Sequence, residues 1–416
     1  MIVSVIGAGY VGMVVAAGVA KLGHEVNIID VDENRIKTVN SRLSPIYEPG
    51  IEEILGQTSI KASSDYRQIM ASEMIFICVN TPSKEDGSIQ LGYIVNAATQ
   101  IAPVLKTKND YCTIVVKSTV VPGTTGEVVI PILESSGKKA GKDFGVCMNP
   151  EFLREGKGLH DFMNPDRIII GEDNRKSGEV LVALFQGFGT PVLRVSLKTA
   201  EMIKYASNAF LAAKISFINE IGNLCKQLGI NAYEVAEGMG FDERIGSKFL
   251  NAGIGFGGPC LPKDIEALIC SAREMGYRPE LLEAVHRLNE KQNLKMIDLL
   301  KQHTPVRGRK IGLLGLSYKP ETDDVKNSMA IAITDALLEE GAIIKAYDPQ
   351  AMPNFRSWFP QVDYTTPEEV LNCDAVLIIT EWDEFGRLDY SATGIVIDGR
   401  RVPKAREAKV YEGICW

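Results

Sequence analysis

Histidine is scarce in this sequence, and so is tryptophan: four of one and three of the other among 416 residues. His24, His160, His286 and His303 fall in no metal-ligand spacing, so they read as surface or structural groups and no metal site is expected. A C-x-x-C pair is also missing. The eight cysteines (78, 112, 147, 225, 260, 270, 373 and 415) are scattered, which argues against a zinc site or a disulfide framework and suits a reducing cytosol. No apolar run is long enough to cross a bilayer, and the apolar N-terminus lacks a basic leader, so a cytoplasmic protein without a membrane partner is expected. Excess positive charge is absent as well. The net charge of −8 argues against broad nucleic-acid binding while leaving room for a local basic pocket. The chain is too long for a single core, and two or three domains are expected.

What the sequence does contain centres on Gly255-Phe256-Gly257-Gly258-Pro259-Cys260-Leu261-Pro262-Lys263-Asp264. Its glycines let the backbone turn tightly and approach a ligand. Pro262 suits a first helical turn, and Asp264 to Met275 reads as the helix. Cys260 is thereby placed just before a helix N-terminus beside Lys263, a setting that favours thiolate over thiol. Asp264, one turn on, can accept a proton or orient a water. A lone cysteine is usually a small core residue. This combination predicts a nucleophile instead.

The chain begins with a strand, Ile2 to Ile6, followed at once by Gly7-Ala8-Gly9-Tyr10-Val11-Gly12, a helix from Val11 to Leu22, and a strand ending in Asp30. A bare G-x-G-x-x-G is weak, but between strand and helix, with an acid at the next strand tip, it is the dinucleotide fingerprint. Gly7, Gly9 and Gly12 admit a pyrophosphate to the helix N-terminus, and Asp30 can bind ribose hydroxyls. The acid would repel a 2′-phosphate, so NAD is expected over NADP.

Further apolar strands, Met74 to Val79 and Thr113 to Val116, end in polar residues. Thr81, Ser118 and Thr119 there either face cofactor and substrate or cap the following helices. Another strand, Phe144 to Met148, leads into Asn149-Pro150-Glu151-Phe152-Leu153-Arg154-Glu155. Its two carboxylates suit proton transfer, or else are solvated acids of a first helical turn. Leu197 to Leu228 reads as one long helix carrying Lys204 and Asn208 on one face, as a solvated stripe or a partly buried pair. A helix from Pro279 to Leu300 closes a helical middle, and His303 to Gly308 reads as a linker. Lys310 to Gly315 then opens a weaker echo of the N-terminal unit, reaching Asp348, and Asp398-Gly399-Arg400-Arg401 places two guanidiniums at a strand end.

With these stretches in this order, the chain resembles the UDP-glucose/GDP-mannose dehydrogenase family, whose members oxidise nucleotide sugars. Asp242 to Gly253 resembles the UDP-glucose 6-dehydrogenase branch in particular. The family motif usually has Ser where Pro259 stands and Arg where Lys326 stands, and Leu261 is similar to the GDP-mannose branch.

The resemblance implies an α/β protein with an N-terminal Rossmann NAD domain (1–196), a central long-helix dimerisation region (197–300) and a C-terminal Rossmann-like domain for the UDP-sugar (301–416). It implies Cys260 as nucleophile, with Lys204, Asn208, Asp264, Thr119 and Glu151 also catalytic. NAD would meet Gly7, Gly9, Tyr10, Val11, Gly12, Asp30, Arg35, Thr81, Ser118, Thr119, Glu155, Lys263 and Lys326. Glu151, Phe152, Leu153, Arg154 and Glu155 would meet substrate, with Lys204, Asn208, Phe249, Leu250, Asn251, Ala252, Gly253, Gly257, Lys319 and Arg400. Arg244 would reach across a homodimer. The expected reaction is a four-electron oxidation of the C6 alcohol of UDP-glucose to a carboxylate with two NAD, through a thiohemiacetal and a thioester on Cys260, with GDP-mannose or another nucleotide sugar as the alternative substrate. Two rivals stand beside it: a two-electron hydroxy-acid type of dehydrogenase with Cys260 merely structural, and a non-catalytic sugar-nucleotide sensor.

Overall fold

Continuous runs of Ile, Val and Met, too apolar for a surface strand, build the first sheet, and burial on both faces is what parallel strands require. The computed structural model describes all 416 residues. Its first sheet holds β1 (Ile2–Ile6), β2 (Glu25–Ile29), β3 (Lys61–Ser63), β4 (Met74–Ile77), β5 (Thr113–Val116), β6 (Gly145–Met148), β7 (Ile168–Glu172) and β8 (Val192–Ser196). They lie in the order β3-β2-β1-β4-β5-β6-β7-β8. Every residue of β4, β5 and β6 is buried. The order reverses between β1 and β4, and the glycine turn leaves β1 at that switch point, where such sheets bind ligands.

One pairing departs from the expected parallel order: β7 runs antiparallel to β6, with Met148 opposite Gly171. The chain therefore leaves β6 and enters β7 at the same end of the sheet. The chain leaves β6 at the carboxyl edge, which puts Glu151 to Glu155 on the edge that carries the glycine turn, and the helix Gly158–Met163 then packs along the first helix, with Phe162 against Gly18.

The chain forms two compact units, Met1–Ala206 and Ser207–Trp416. The division falls inside the helix Leu197–Leu228, which spans 32 residues as its unbroken apolar periodicity predicts. The expected helix over 279–300 is two helices, Glu280–Gln292 and Lys295–His303. No glycine or proline marks that break. Asn293 ends the first, and its buried neighbour Gln292 donates to the carbonyl of Gly253 at 2.8 Å, a long-range tie that overrides local periodicity.

The second unit carries a wholly parallel sheet of β9 (Lys310–Leu314), β10 (Ile343–Tyr347), β11 (Asp363–Tyr364), β12 (Ala375–Ile378), β13 (Ile395–Asp398) and β14 (Val410–Gly413). Its order is β11-β10-β9-β12-β13-β14. This is a second Rossmann-like sheet, as the echo of the N-terminal pattern suggested. Its acid at the tip of β10 has a different use, however. Asp348 accepts hydrogen bonds from Leu316 N, Ser317 N, Ser317 Oγ, Gln350 N, Ala351 N and Trp382 Nε1, so internal donors occupy both of its oxygens. No helix is long and apolar enough to cross a membrane.

Candidate active site

Three glycines of the first turn are there for different reasons. Gly7 has φ 104°, and a Cβ would lie 2.7 Å from the Cys78 carbonyl oxygen. A Cβ on Gly12 would lie 1.9 Å from the Gly7 oxygen. Folding alone requires both. Gly9 is unlike them: it has ordinary extended backbone at the helix N-cap, and a Cβ would meet nothing closer than Asn80 Oδ1 at 3.7 Å. Nothing in the fold demands a glycine there. Open space above a helix N-terminus with free amides is what a pyrophosphate needs, so the residues present fit NAD.

Asp30, at the tip of β2, accepts from Ala8 N and from Asp32 N at 2.8 Å, which fixes its carboxylate beside the turn. Arg35 pairs with Asp32 at 3.7 Å and brings Nη1 within 3.9 Å of the same open position over Gly9. Tyr10 donates to Glu48 and lies 3.1 Å from the Arg154 carbonyl, tying Val11 and the start of this helix to the 151–155 segment. Thr81 donates to the Thr119 carbonyl at 2.8 Å and Ser118 to the Val79 carbonyl at 2.7 Å. Neither caps a helix. Both stitch the exits of β4 and β5 together, with Thr119 held between them by its own backbone.

The 151–155 segment is not a helix, so the reading of Glu151 and Glu155 as first-turn helix acids is excluded; the helix starts only at Gly158. Glu151 is buried, 2.7 Å from Lys204 Nζ, and its other oxygen accepts from Leu153 N at 2.6 Å. Burial works to raise the Glu151 carboxyl, but the Lys204 ammonium, the Leu153 amide and the charge of Lys117 outweigh it and hold it below the usual carboxylate range. Lys204 is 4% exposed, so the solvated-stripe reading of the long helix fails at this position. Phe152 lies below Lys204 and is also covered by the Arg167 guanidinium, 3.9 Å from its ring centre. Arg154 points outward and pairs with Asp161 at 2.6 Å.

In the second unit the cysteine loop is clamped from two sides. Asn289 accepts from Phe256 N at 2.8 Å and donates to the Phe256 carbonyl at 2.9 Å. Gly258 N donates to the Lys326 carbonyl at 3.1 Å, and Asn327 Nδ2 donates back to the Gly258 carbonyl at 3.2 Å. A Cβ on Gly257 would lie 2.1 Å from the Asn327 oxygen, so only glycine permits this approach. The loop delivers Cys260 as the N-cap of the helix Leu261–Glu274, three residues earlier than the sequence suggested, because Pro262 stands in the first turn.

Cys260 is exposed and four other cysteines of this unit are not; Cys225, Cys373 and Cys415 are buried and Cys270 is half-buried. Burial pushes the Cys415 thiol up to about 12, so it stays a thiol. Asp264 is 2% exposed, accepts from Asn208 Nδ2 at 2.6 Å and pairs with Lys263 Nζ at 2.6 Å. Asn208, Lys263 and Asp264 are thus one cluster beside the helix start that bears Cys260. Phe210, two residues beyond Asn208 on the same helix, is 66% exposed.

A cavity of about 230 Å³ opens between Tyr233, Asn251, Ala252, Glu381, Arg400 and Arg401. The Phe249 to Gly253 stretch shapes one wall. Phe249 has φ 64°, Leu250 is buried, the Ala252 carbonyl accepts from Tyr233 at 2.8 Å, and Gly253 N donates to Asn219 at 2.8 Å. On the opposite wall Arg400 Nε donates to the Ile379 carbonyl at 2.7 Å, and Arg401 covers the Tyr233 ring at 4.0 Å. A concave surface with two guanidiniums and an aromatic ring suits a nucleotide. Lys319 lies over Tyr318, and Lys326 is exposed at the clamp. Arg244 is not drawn into this site; its exposed side chain pairs with Asp242 at 2.6 Å.

Glu48, Asn149, Asn289 and Asn327 carried no signal in the sequence. Each is a lone polar residue whose partner is distant in the chain, so no spacing marks it.

A glycine turn built for a pyrophosphate, a second Rossmann-like sheet and a clamped, exposed cysteine beside a carboxylate–amide cluster fit a nucleotide-dependent dehydrogenase. The chain belongs to the UDP-glucose/GDP-mannose dehydrogenase family. Residues 1–189 match its NAD binding domain, 198–291 its central domain and 312–405 its UDP binding domain. It is similar to the UDP-glucose 6-dehydrogenase AglM of Haloferax volcanii, 44% identical over 429 aligned positions and covering 100% of both chains. A GDP-mannose 6-dehydrogenase of Pseudomonas aeruginosa is 39% identical over 84% of this chain and 81% of its own. Among solved structures, a UDP-glucose dehydrogenase of Pyrobaculum islandicum matches with a TM-score of 0.96 at 41% identity, over 100% of this chain and 98% of that one.

Proposed function

We propose that this protein oxidises the C6 alcohol of UDP-glucose to the carboxylate of UDP-glucuronate with two molecules of NAD. The observation that carries the reading is the clamped cysteine: a loop fixed by Asn289 and Asn327 presents Cys260, the most exposed cysteine of that unit, at a helix start. The full-length likeness to UDP-glucose 6-dehydrogenases supports the sugar.

NAD, when bound, supplies the two-electron acceptor for each oxidation. The chain's own residues divide the remaining work. Gly9 and the amides behind it, with Asp30 and Arg35, hold the cofactor, assisted by Tyr10, Thr81, Ser118, Glu155, Lys263 and Lys326. Asp264 and Thr119 hold the water that takes the alcohol proton. Cys260 Sγ bonds to the aldehyde carbon to form a thiohemiacetal, and oxidation of that adduct leaves a thioester. Lys204 and Asn208 stabilise the oxyanion at this carbon, and water activated by Glu151 or Asp264 releases the acid and restores the thiol. Phe249 to Gly253, Gly257, Lys319 and Arg400 hold the UDP-sugar, and residues 1–196, 197–300 and 301–416 serve as the NAD, central and UDP-sugar domains.

A homodimer is part of this reading. Phe210, Phe217 and Leu224 recur every seventh residue along the long helix and are 66%, 48% and 52% exposed. A helix keeps such a stripe in water only at a cost, and a second copy would cover it. Arg244, exposed and extended, is assigned to the partner's site.

Incubation with NAD and UDP-glucose, GDP-mannose or UDP-N-acetylmannosamine, followed by NADH absorbance, tests the substrate. UDP-glucose should exceed the others in kcat/KM by at least about tenfold, roughly 1.4 kcal/mol of discrimination. Preference for a GDP-sugar would overturn the assignment.

A further inference from the structure

Lys117, at the exit of β5, is a buried cation to which the reaction above gives no part. It is 5% exposed. Its ammonium donates to Asn149 Oδ1 at 2.8 Å and to the Asn149 carbonyl at 3.3 Å, both neutral oxygens. Asn149 in turn donates to the Ile169 carbonyl at 2.8 Å, so it is pinned to residues from both neighbouring strands. Burying an ammonium against neutral acceptors costs stability that a methionine of the same length would not. A packing role does not account for it.

We propose that Lys117 is a positioning residue for the Glu151–Lys204 pair: through Asn149 it fixes the chain two residues ahead of Glu151, and its charge governs how firmly that pair holds a proton. The proposal rests on the roles given to Glu151 and Lys204 above.

The charged and titratable groups that face Lys117 are Cys78 beyond β4, Glu151 beyond β6 and Lys204 on the long helix. Burial pushes the Lys117 ammonium down to about 8, with the Glu151 carboxylate opposing and the Lys204 ammonium adding to the fall. Burial also pushes the Cys78 thiol up to about 12, so Cys78 stays neutral through this range.

Below pH 8 the charged Lys117 therefore weakens Glu151 as a proton acceptor and disfavours a second charge on Lys204. Above it, the neutral amine still has two N–H bonds for the two Asn149 oxygens, so the anchor survives. Glu151 then becomes the better base and Lys204 keeps its proton more firmly. Both changes favour proton removal and oxyanion stabilisation, so activity should rise through pH 8.

The test is kcat between pH 6 and 10 with saturating NAD and UDP-glucose. Wild type should show a rising limb centred near pH 8. Lys117→Arg, which stays charged, should lose that limb. Lys117→Met should lose it too and drop the plateau about tenfold, because Asn149 is no longer held. Asn149→Asp, which sets a carboxylate beside Lys117, should move the limb up by about one pH unit or more. If Lys117→Met fails to fold, the other two variants still decide.

A limb unmoved in Lys117→Arg and Asn149→Asp overturns the proposal, as does a loss in Lys117→Met by one constant factor at every pH with the limb in place. Glu151→Gln belongs in the same series. It should lose at least about tenfold; full activity would remove the role of Glu151 itself. An impaired Glu151→Gln beside unmoved limbs would remove only Lys117.

Discussion

Single side chains in this protein do work that their neighbours in sequence do not reveal. Asp30 reads as a ribose ligand, yet it also holds the turn through Ala8 N and Asp32 N. That double use predicts the outcome of changing it. Wild type should prefer NAD over NADP in kcat/KM by about a hundredfold or more, since a 2′-phosphate would meet a fixed carboxylate. Asp30→Ala should narrow that ratio while lowering melting temperature, because Ala8 N loses its acceptor. Steady-state kinetics with both cofactors checks it, and NADP preference in wild type would remove Asp30 from its role.

Lys117 makes a prediction about stability as well. A lysine held near 8 when folded and at 10.5 when unfolded binds fewer protons in the native state between those values. Stability should therefore rise with pH across that window, by about 3 kcal/mol in total, and the cost is fully present below pH 8. Denaturant midpoints for Lys117→Met should lack this rise between pH 8 and 10.5. A rise equal to that of wild type would assign it to other groups.

At the scale of elements, the cysteine loop shows what a sequence can and cannot tell. The glycines of Gly255 to Gly258, Pro262 and the spacing from Cys260 to Asp264 were legible because each acts through local backbone chemistry. The clamp was not. Asn289 lies 33 residues from Phe256 and sits in a helix whose pattern is otherwise that of an ordinary amphipathic surface. The same holds for the break at Asn293, and for β7, whose reversal left no mark in its Ile-Ile-Ile run. The first sheet, the long helix and the second sheet were legible because their apolar periods are long and strong. Asn289→Ala should leave the buried Phe256 amide and carbonyl without partners and cost about 1–3 kcal/mol. It should also lower kcat more than it raises KM, since the nucleophile loses its fixed position. Calorimetry with steady-state kinetics on this variant reads both. A stability loss with unchanged kcat would make the clamp structural only.

At the scale of the whole molecule, the exposed seam of Phe210, Phe217 and Leu224 and the outward Arg244 lead to a complementation test. Arg244→Ala and Cys260→Ala homodimers should each be nearly inactive, and well-mixed heterodimers should regain activity because one of their two sites keeps both groups. Sedimentation with activity measurement on the mixture would show recovery, and none at all would place Arg244 in its own subunit's site. The central claim is that Cys260 is a covalent catalyst of a four-electron oxidation, and counting reduced cofactor tests it most directly. With sugar nucleotide limiting and NAD in excess, wild type should yield about two NADH per sugar and a carboxylic acid, with no free aldehyde accumulating. Cys260→Ala should lose acid formation far more than slow, reversible aldehyde formation, at an unchanged melting temperature because the thiol is exposed. One NADH per sugar from wild type, with an aldehyde or ketone as final product, would contradict the account.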